Sequence, residues 1–160
     1  MRTQAAETVE TEMNSKRSIL VVDDEEVVRR GYARALTAAD CDVHAAWNGK
    51  EALAALERQT YDVVLLDLRM PELDGMAVLK AIKDKWPESE VVVITGYPSL
   101  ETAKEAVRLG ACDYLAKPVA PDEVLDAANG AMRRKRWTLR RSRTGNPASD
   151  FDTRAHTSPS

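Results

Sequence analysis

Ser18-Ile-Leu-Val-Val-Asp-Asp-Glu-Glu26 sets a short apolar run directly against four acids. The run is continuous and rich in β-branched residues, the pattern of a strand buried on both faces of a sheet. The acids cannot follow it into the interior, so the chain must surface where Asp23 begins. Working outward, four more candidate strands follow: Asp42 to Ala46, Val63 to Leu66, Val91 to Thr95, and Tyr114 to Ala116. Between them lie segments with helical spacing, Glu25 to Ala39, Gly49 to Gln59, Gly75 to Trp86 and Leu100 to Leu109, and a fifth from Pro121 to about Arg140 closes the series. In the first, Val28, Gly31, Ala35 and Ala39 can share a face; in the third, Met76, Leu79, Ile82 and Trp86 do. Helix punctuation agrees: Asn48-Gly49 and Asp74-Gly75 open the second and third, Pro121-Asp122 opens the fifth, and Leu109-Gly110 closes the fourth. Strands alternating with helices need right-handed crossovers, which put helices on both faces of a parallel sheet. The expected fold is α/β, a doubly wound five-stranded parallel sheet.

Composition agrees with one domain: 160 residues, 44% hydrophobic and 31% charged. No apolar run approaches the roughly 20 residues of a membrane-spanning helix, and Met1 to Arg17 lacks the apolar stretch of a secretory signal. A cytoplasmic protein without a membrane anchor is expected. Cys41 and Cys112 stand far apart with no other Cys or His at ligand spacing, so both are expected to be small core residues. The net charge of −3 hides an asymmetry: residues 1–17 sum to 0, 18–132 to −9, and 133–160 to +6. The expected organisation is a flexible segment 1–17, a folded domain 18–134, and a basic helix extension with a disordered tail over 135–160.

In open parallel sheets ligands bind beyond the carboxyl ends of the strands. The residues there are Asp23 and Asp24 after the first strand, Asp67 after the third, Thr95 at the end of the fourth, and Lys117-Pro118 after the fifth. Any one of these acids could simply solvate a loop or cap a helix, as Asp24 could before Glu25-Glu26. Together they place three carboxylates, a hydroxyl and an ammonium at one crevice. Carboxylates so placed repel one another and need a cation. Lys117 supplies one charge, and an all-oxygen donor set favours a hard divalent ion such as Mg²⁺.

These residues, in the segments Leu20-Val-Val-Asp-Asp-Glu25, Asp67-Leu-Arg-Met-Pro-Glu-Leu-Asp-Gly75, Val93-Ile-Thr-Gly96 and Asp113-Tyr-Leu-Ala-Lys-Pro118, resemble the receiver domains of two-component response regulators. The resemblance covers about residues 17 to 134, and Thr95 to Ala111 resembles receivers of nitrogen-regulation-type activators. It implies the (βα)5 flavodoxin-like receiver fold. It further implies that Asp67 accepts a phosphoryl group from a sensor histidine kinase or histidine phosphotransfer protein. Asp24, Asp67 and the backbone carbonyl of Arg69 would ligate Mg²⁺, Asp23 would hold a metal-bound water, and Lys117 would pair with phosphoryl oxygens. Thr95 and Tyr114 match the family's switch pair, and Lys117-Pro118 its cis junction. Met70-Pro71 and Asp74-Gly75 shape the loop and start the next helix. Arg69 and Tyr97, each two residues beyond a site residue, are candidates for tuning the phosphoryl lifetime: Arg69 by holding the phosphoryl group or a nearby acid, Tyr97 by hindering water.

No helix-turn-helix fits after Arg140, so the expected output is a stand-alone receiver acting by protein contact through its fourth helix, fifth strand and fifth helix, with a phosphorylation-dependent homodimer as one form. The chain would catalyse only its own phosphorylation and dephosphorylation. Arg133 to Arg143 holds seven bases in eleven residues. A solvated helix end is the preferred reading, ahead of partner docking, and nucleic acid is not the expected partner. An enzyme of the haloacid-dehalogenase kind would want an acid where Arg69 stands. A flavodoxin-like nucleotide binder would need a Gly- or Ser-rich loop where Asp23 to Glu26 stand. A constitutive docking module that has lost phosphorylation would lack one of the five site residues. It is the alternative function.

Overall fold

The computed structural model describes residues 16–143, with side chains described through Trp137. The flexible segment and disordered tail expected from the sequence fall, apart from Lys16, Arg17 and the helical stretch to Arg143, outside the described residues. Ten elements alternate in order: β1 (Ser18–Val22), α1 (Glu26–Ala38), β2 (Asp42–Ala46), α2 (Gly49–Arg58), β3 (Val63–Leu66), α3 (Gly75–Lys85), β4 (Glu90–Thr95), α4 (Leu100–Arg108), β5 (Asp113–Ala116) and α5 (Pro121–Arg143). All four strand pairings are parallel and the sheet order is β2-β1-β3-β4-β5. The doubly wound five-stranded fold is thus as expected, with element ends within a few residues.

The central strands explain themselves. β3 and β4 are buried at every position and β1 at all but its first, so side chains alternate between two apolar layers. Leu20, Val22, Val64 and Leu66 pack with Ala52, Leu56, Val78, Leu79 and Ile82 of α2 and α3, and with Ala106 of α4. Ile19, Val21, Leu65 and Ile94 pack on the other face with Tyr32 and Leu36 of α1 and Val124, Ala127, Ala128 and Ala131 of α5. β2 and β5 form the edges and are correspondingly more exposed. Cys41 belongs to the core, whereas Cys112 is only partly buried against it. Burial, then the nearby Glu90 carboxylate, push the Cys112 thiol up to about 12.

One face reading is corrected. In α1 the inward stripe is Val28, Tyr32 and Leu36, while Gly31 and Ala39 lie exposed. The stripe is rotated by about one residue because Tyr32 and Leu36 bring far more apolar area to the sheet than a glycine and an alanine. In α3, Leu79 and Ile82 are buried and Met76 and Trp86 partly so, with Val78 joining them. Caps follow local chemistry. Asn48 accepts from the Glu51 N–H, Asp74 from the Met76 N–H and Ser99 from the Thr102 N–H. Gly110 follows α4 at φ 106°, where a Cβ would be strained, so that Ala111 N–H can return to the Ala106 carbonyl. No helix among the described residues is long and apolar enough to cross a membrane.

Candidate functional site

β1 pairs with β2 on one side and β3 on the other, so the chain's winding reverses between β1 and β3. A crevice forms where strand order reverses. The register aligns Val22 with Leu66, Leu66 with Val93, and Thr95 with Ala116. Asp23, Asp67, Thr95 and Lys117 therefore emerge at one end of the sheet, each supplied by a separate strand or the residue after it.

The acids are unequal. Asp23 and Asp67 are 2% and 5% exposed, whereas Asp24 stands in solvent. Asp23 Oδ1 accepts the Glu25 N–H at 2.9 Å, which folds the β1–α1 turn and takes the N-cap position from Asp24; the cap residue is Glu25, without a side-chain cap bond. Arg29 of α1 donates to the Asp23 carbonyl at 2.8 Å. Asp23, Asp24 and Glu25 each offer a carboxylate oxygen, all within 4.8 Å of one another. Sequence reasoning overlooked Glu25 and Arg29 as site residues. The unbroken acid run was the available signal for Glu25; nothing local marks Arg29.

Lys117 follows β5 through a cis Lys117-Pro118 bond. Its ammonium lies 2.7 Å from Asp23 Oδ2, 3.5 Å from Asp67 Oδ2 and 3.6 Å from Glu25 Oε1. Burial alone would lower its pKa, but Asp23 and then Asp67 more than compensate, and the net shift is upward. Asp67 shifts up as well, first because burial penalises its charge, and against the Arg69 N–H donated to its Oδ1 at 3.2 Å. The two shifts are compatible because Lys117 sits closer to Asp23. Asp67 is left with less compensation than its burial demands. Beneath the crevice Tyr32 of α1 is also raised, by burial first.

Thr95 is 1% exposed, and its Oγ1 accepts the Tyr97 N–H at 3.1 Å. Tyr114 packs partly buried, two residues before Ala116 on β5. Its hydroxyl lies 2.6 Å from Thr102 Oγ1 and accepts the Ser99 N–H at 3.2 Å, which ties the ring to the first turn of α4. No hydrogen bond among the described residues joins Thr95 and Tyr114 directly. The Ser99 and Thr102 anchors were missed in sequence, although Ser99-Leu-Glu-Thr102 carries the pattern of a helix start. Arg69 and Tyr97, expected to act separately, meet: the guanidinium lies 3.8 Å above the centroid of the Tyr97 ring.

With this geometry in view, residues 19–129 match the response regulator receiver domain. The chain is 43% identical over 114 residues to the DNA-binding transcriptional regulator NtrC of Salmonella typhimurium, covering 71% of this chain and 24% of that protein. It is 39% identical over 114 residues to the regulatory protein LuxO of Vibrio cholerae, covering 71% and 25%. Among solved structures, a CheY-like receiver domain protein from Methanospirillum hungatei superposes with TM-score 0.75 at 27% identity, over 78% of this chain and 99% of that one. NtrX from Brucella abortus does so with TM-score 0.76 at 35% identity, over 80% and 30%. The chain spans about a quarter of the length of the curated relatives it matches.

Proposed function

This chain belongs to the response regulator receiver domain family of two-component signalling, and from that premise we propose that it is a switch operated by phosphorylation of Asp67. The observation that carries the reading is the buried, under-compensated carboxylate of Asp67 at the sheet's switch point, beside an ammonium that another acid holds more closely. Such a group gains when further positive charge arrives. Asp67 attacks the phosphorus of a phosphohistidine on a sensor kinase or phosphotransfer protein. The new O–P bond forms as the P–N bond breaks, and the imidazole nitrogen leaves with the electron pair and takes up a proton. The product is an acyl phosphate, and Lys117 pairs with phosphoryl oxygens.

The donor set fits a hard divalent cation: the clustered carboxylates of Asp23, Asp24 and Glu25 offer oxygen only, and Asp67 lies on the neighbouring strand's end. Asp23, Asp24, Asp67 and the Arg69 carbonyl would hold Mg²⁺. When bound, the ion neutralises charge on the phosphoryl oxygens. Thr95 then turns its hydroxyl to the phosphoryl group, and Tyr114 loosens from Thr102 to follow it. The phosphoryl group adds about −1.5 to −2 charges. Moving a two-state population from 1:99 to 99:1 takes about 5.5 kcal/mol of differential interaction, within reach of a few charge-assisted hydrogen bonds. The output is contact with a downstream protein through the face of α4, β5 and α5.

The test is intact mass after incubation with acetyl phosphate and Mg²⁺, beside Asp67→Ala and metal-free controls. A single phosphoryl adduct requiring both Asp67 and Mg²⁺ is expected. A folded protein that takes no adduct from the small donor or from histidine kinases would instead be a constitutive docking module.

A further inference from the structure

One contact ties the loop after β3 to the loop after β4 across the crevice, and a hydrogen bond within each loop joins it to a buried site residue. The Arg69 N–H donates to Asp67, the Arg69 guanidinium covers the Tyr97 ring, and the Tyr97 N–H donates to Thr95. They form one chain from the acceptor carboxylate to the switch hydroxyl. Its middle link is exposed: Arg69 lies at the surface and Tyr97 is 67% exposed. The link has no packing reason to exist, since neither side chain belongs to an apolar layer. Both termini of the chain, in contrast, are buried and fixed.

We propose that the Arg69–Tyr97 stack is a clasp that holds the unphosphorylated arrangement of Thr95, and that a phosphoryl group on Asp67 opens it by drawing Arg69 away from the ring. Arg69 and Tyr97 act as positioning residues for Thr95. The inference rests on the reading of Asp67 as phosphoacceptor. The competition favours release. An exposed cation–π contact is worth about 0.5–1 kcal/mol, whereas hydrogen bonds between a guanidinium and a phosphoryl group are charge-assisted and stronger. Two residues along the same loop, Arg69 can exchange one partner for the other without moving the strands. Once the guanidinium leaves, Tyr97 no longer pins its loop, and the amide it gives to Thr95 is free to part from the hydroxyl. The two residues thus work as one device rather than as separate tuners.

Hydrogen exchange of the residue-97 amide reads this device without requiring phosphorylation. In the unphosphorylated protein, Arg69→Gln and Tyr97→Leu should each speed exchange roughly two- to five-fold, the factor a contact of this size allows. The double variant should exchange no faster than either single one, and Tyr97→Phe, which keeps the ring face, should match the wild type. Additive effects, or a Tyr97→Phe variant as fast as Tyr97→Leu, would overturn the clasp. Phosphorylation of the wild type, established first by mass, should speed the same amide by a similar factor, and should add nothing in Arg69→Gln. A wild type that carries the adduct with unchanged exchange at residue 97 overturns the clasp and leaves the acceptor reading standing. A wild type that forms no adduct sinks the acceptor reading and the release step together.

Discussion

At the residue scale, Asp67 is defined by an imbalance between burial and compensation. Its folded pKa stands above the ordinary 3.8, because burial outweighs the Arg69 N–H and Lys117. A raised folded value means that the stability this group contributes is complete below the unfolded pKa and is lost as pH rises through the folded one. At neutral pH without divalent ions the carboxylate therefore works against folding. Asp67→Asn is expected to be more stable than the parent at pH 7 by on the order of 1 kcal/mol, with the gain vanishing as pH falls below about 3.8. Urea unfolding at the two pH values checks this, and a variant that is weaker at pH 7 would refute it. Mg²⁺ should reverse the order. At about 100 times its Kd a ligand stabilises by roughly 2.7 kcal/mol, and thermal unfolding with and without the ion should show that gain in the parent and lose most of it in Asp24→Ala. Asp24 suits this arm because it stands in solvent, where substitution is expected to cost little stability.

At the scale of elements, the loop that carries Asp67 is fixed by a glycine. A Cβ on Gly75 would lie 2.4 Å from the Leu68 Cα, and that neighbour is backbone, which cannot step aside. Gly75 N–H also returns to the Leu68 carbonyl at 3.2 Å, closing the loop one residue beyond Asp67. Gly75→Ala should cost about 1–3 kcal/mol and, by displacing Leu68, slow phosphorylation. A variant of parental stability in chemical denaturation would show that the loop relaxes freely. The sequence had marked Asp74-Gly75 as a helix start, which it is, but the close approach behind that glycine is tertiary and leaves no local trace. The same boundary separates what was legible elsewhere. β1, β3 and β4 are announced by β-branched runs because strands buried on both faces tolerate little else, and their ends locate Asp23, Asp67 and Thr95 for the same reason, whereas Lys117 follows the shorter, more exposed edge strand β5. The α1 stripe was misplaced because Val28 fits two neighbouring faces, and only the sheet decides between Gly31 and Tyr32. The Arg69–Tyr97 stack joins two loops 28 positions apart, which no helical or strand period connects.

For the whole molecule, the end of the sheet opposite the acidic crevice is organised by ion pairs with α5. Lys135 reaches Asp62 at 2.7 Å, and Asp62 also accepts the Ser18 N–H at 2.9 Å, so one carboxylate joins the start of β1 to α5. Arg134 approaches Glu90, the first residue of β4, at 3.3 Å. The run of bases read in sequence as a solvated helix end thus holds two residues, Arg134 and Lys135, paired with acids of the body. Glu90 is the more consequential of the two acids: its side chain is 7% exposed against 61% for Arg134, and its Oε2 has no hydrogen-bond partner. A buried carboxylate depends heavily on the cation in direct contact with it, here Arg134, although the Lys83 charge and the Cys112 thiol also act on Glu90. Arg134→Ala should accordingly destabilise the domain by about 1–3 kcal/mol, more than an exposed arginine is worth. Glu90→Gln in the same chain should recover most of the loss, because a neutral amide needs no counterion. Chemical denaturation of the two single variants and the double variant decides it: a small loss in Arg134→Ala, or no recovery in the double variant, would mean that Glu90 draws its compensation from elsewhere. Recovery would establish that the start of β4 is held to α5 by charge at Glu90.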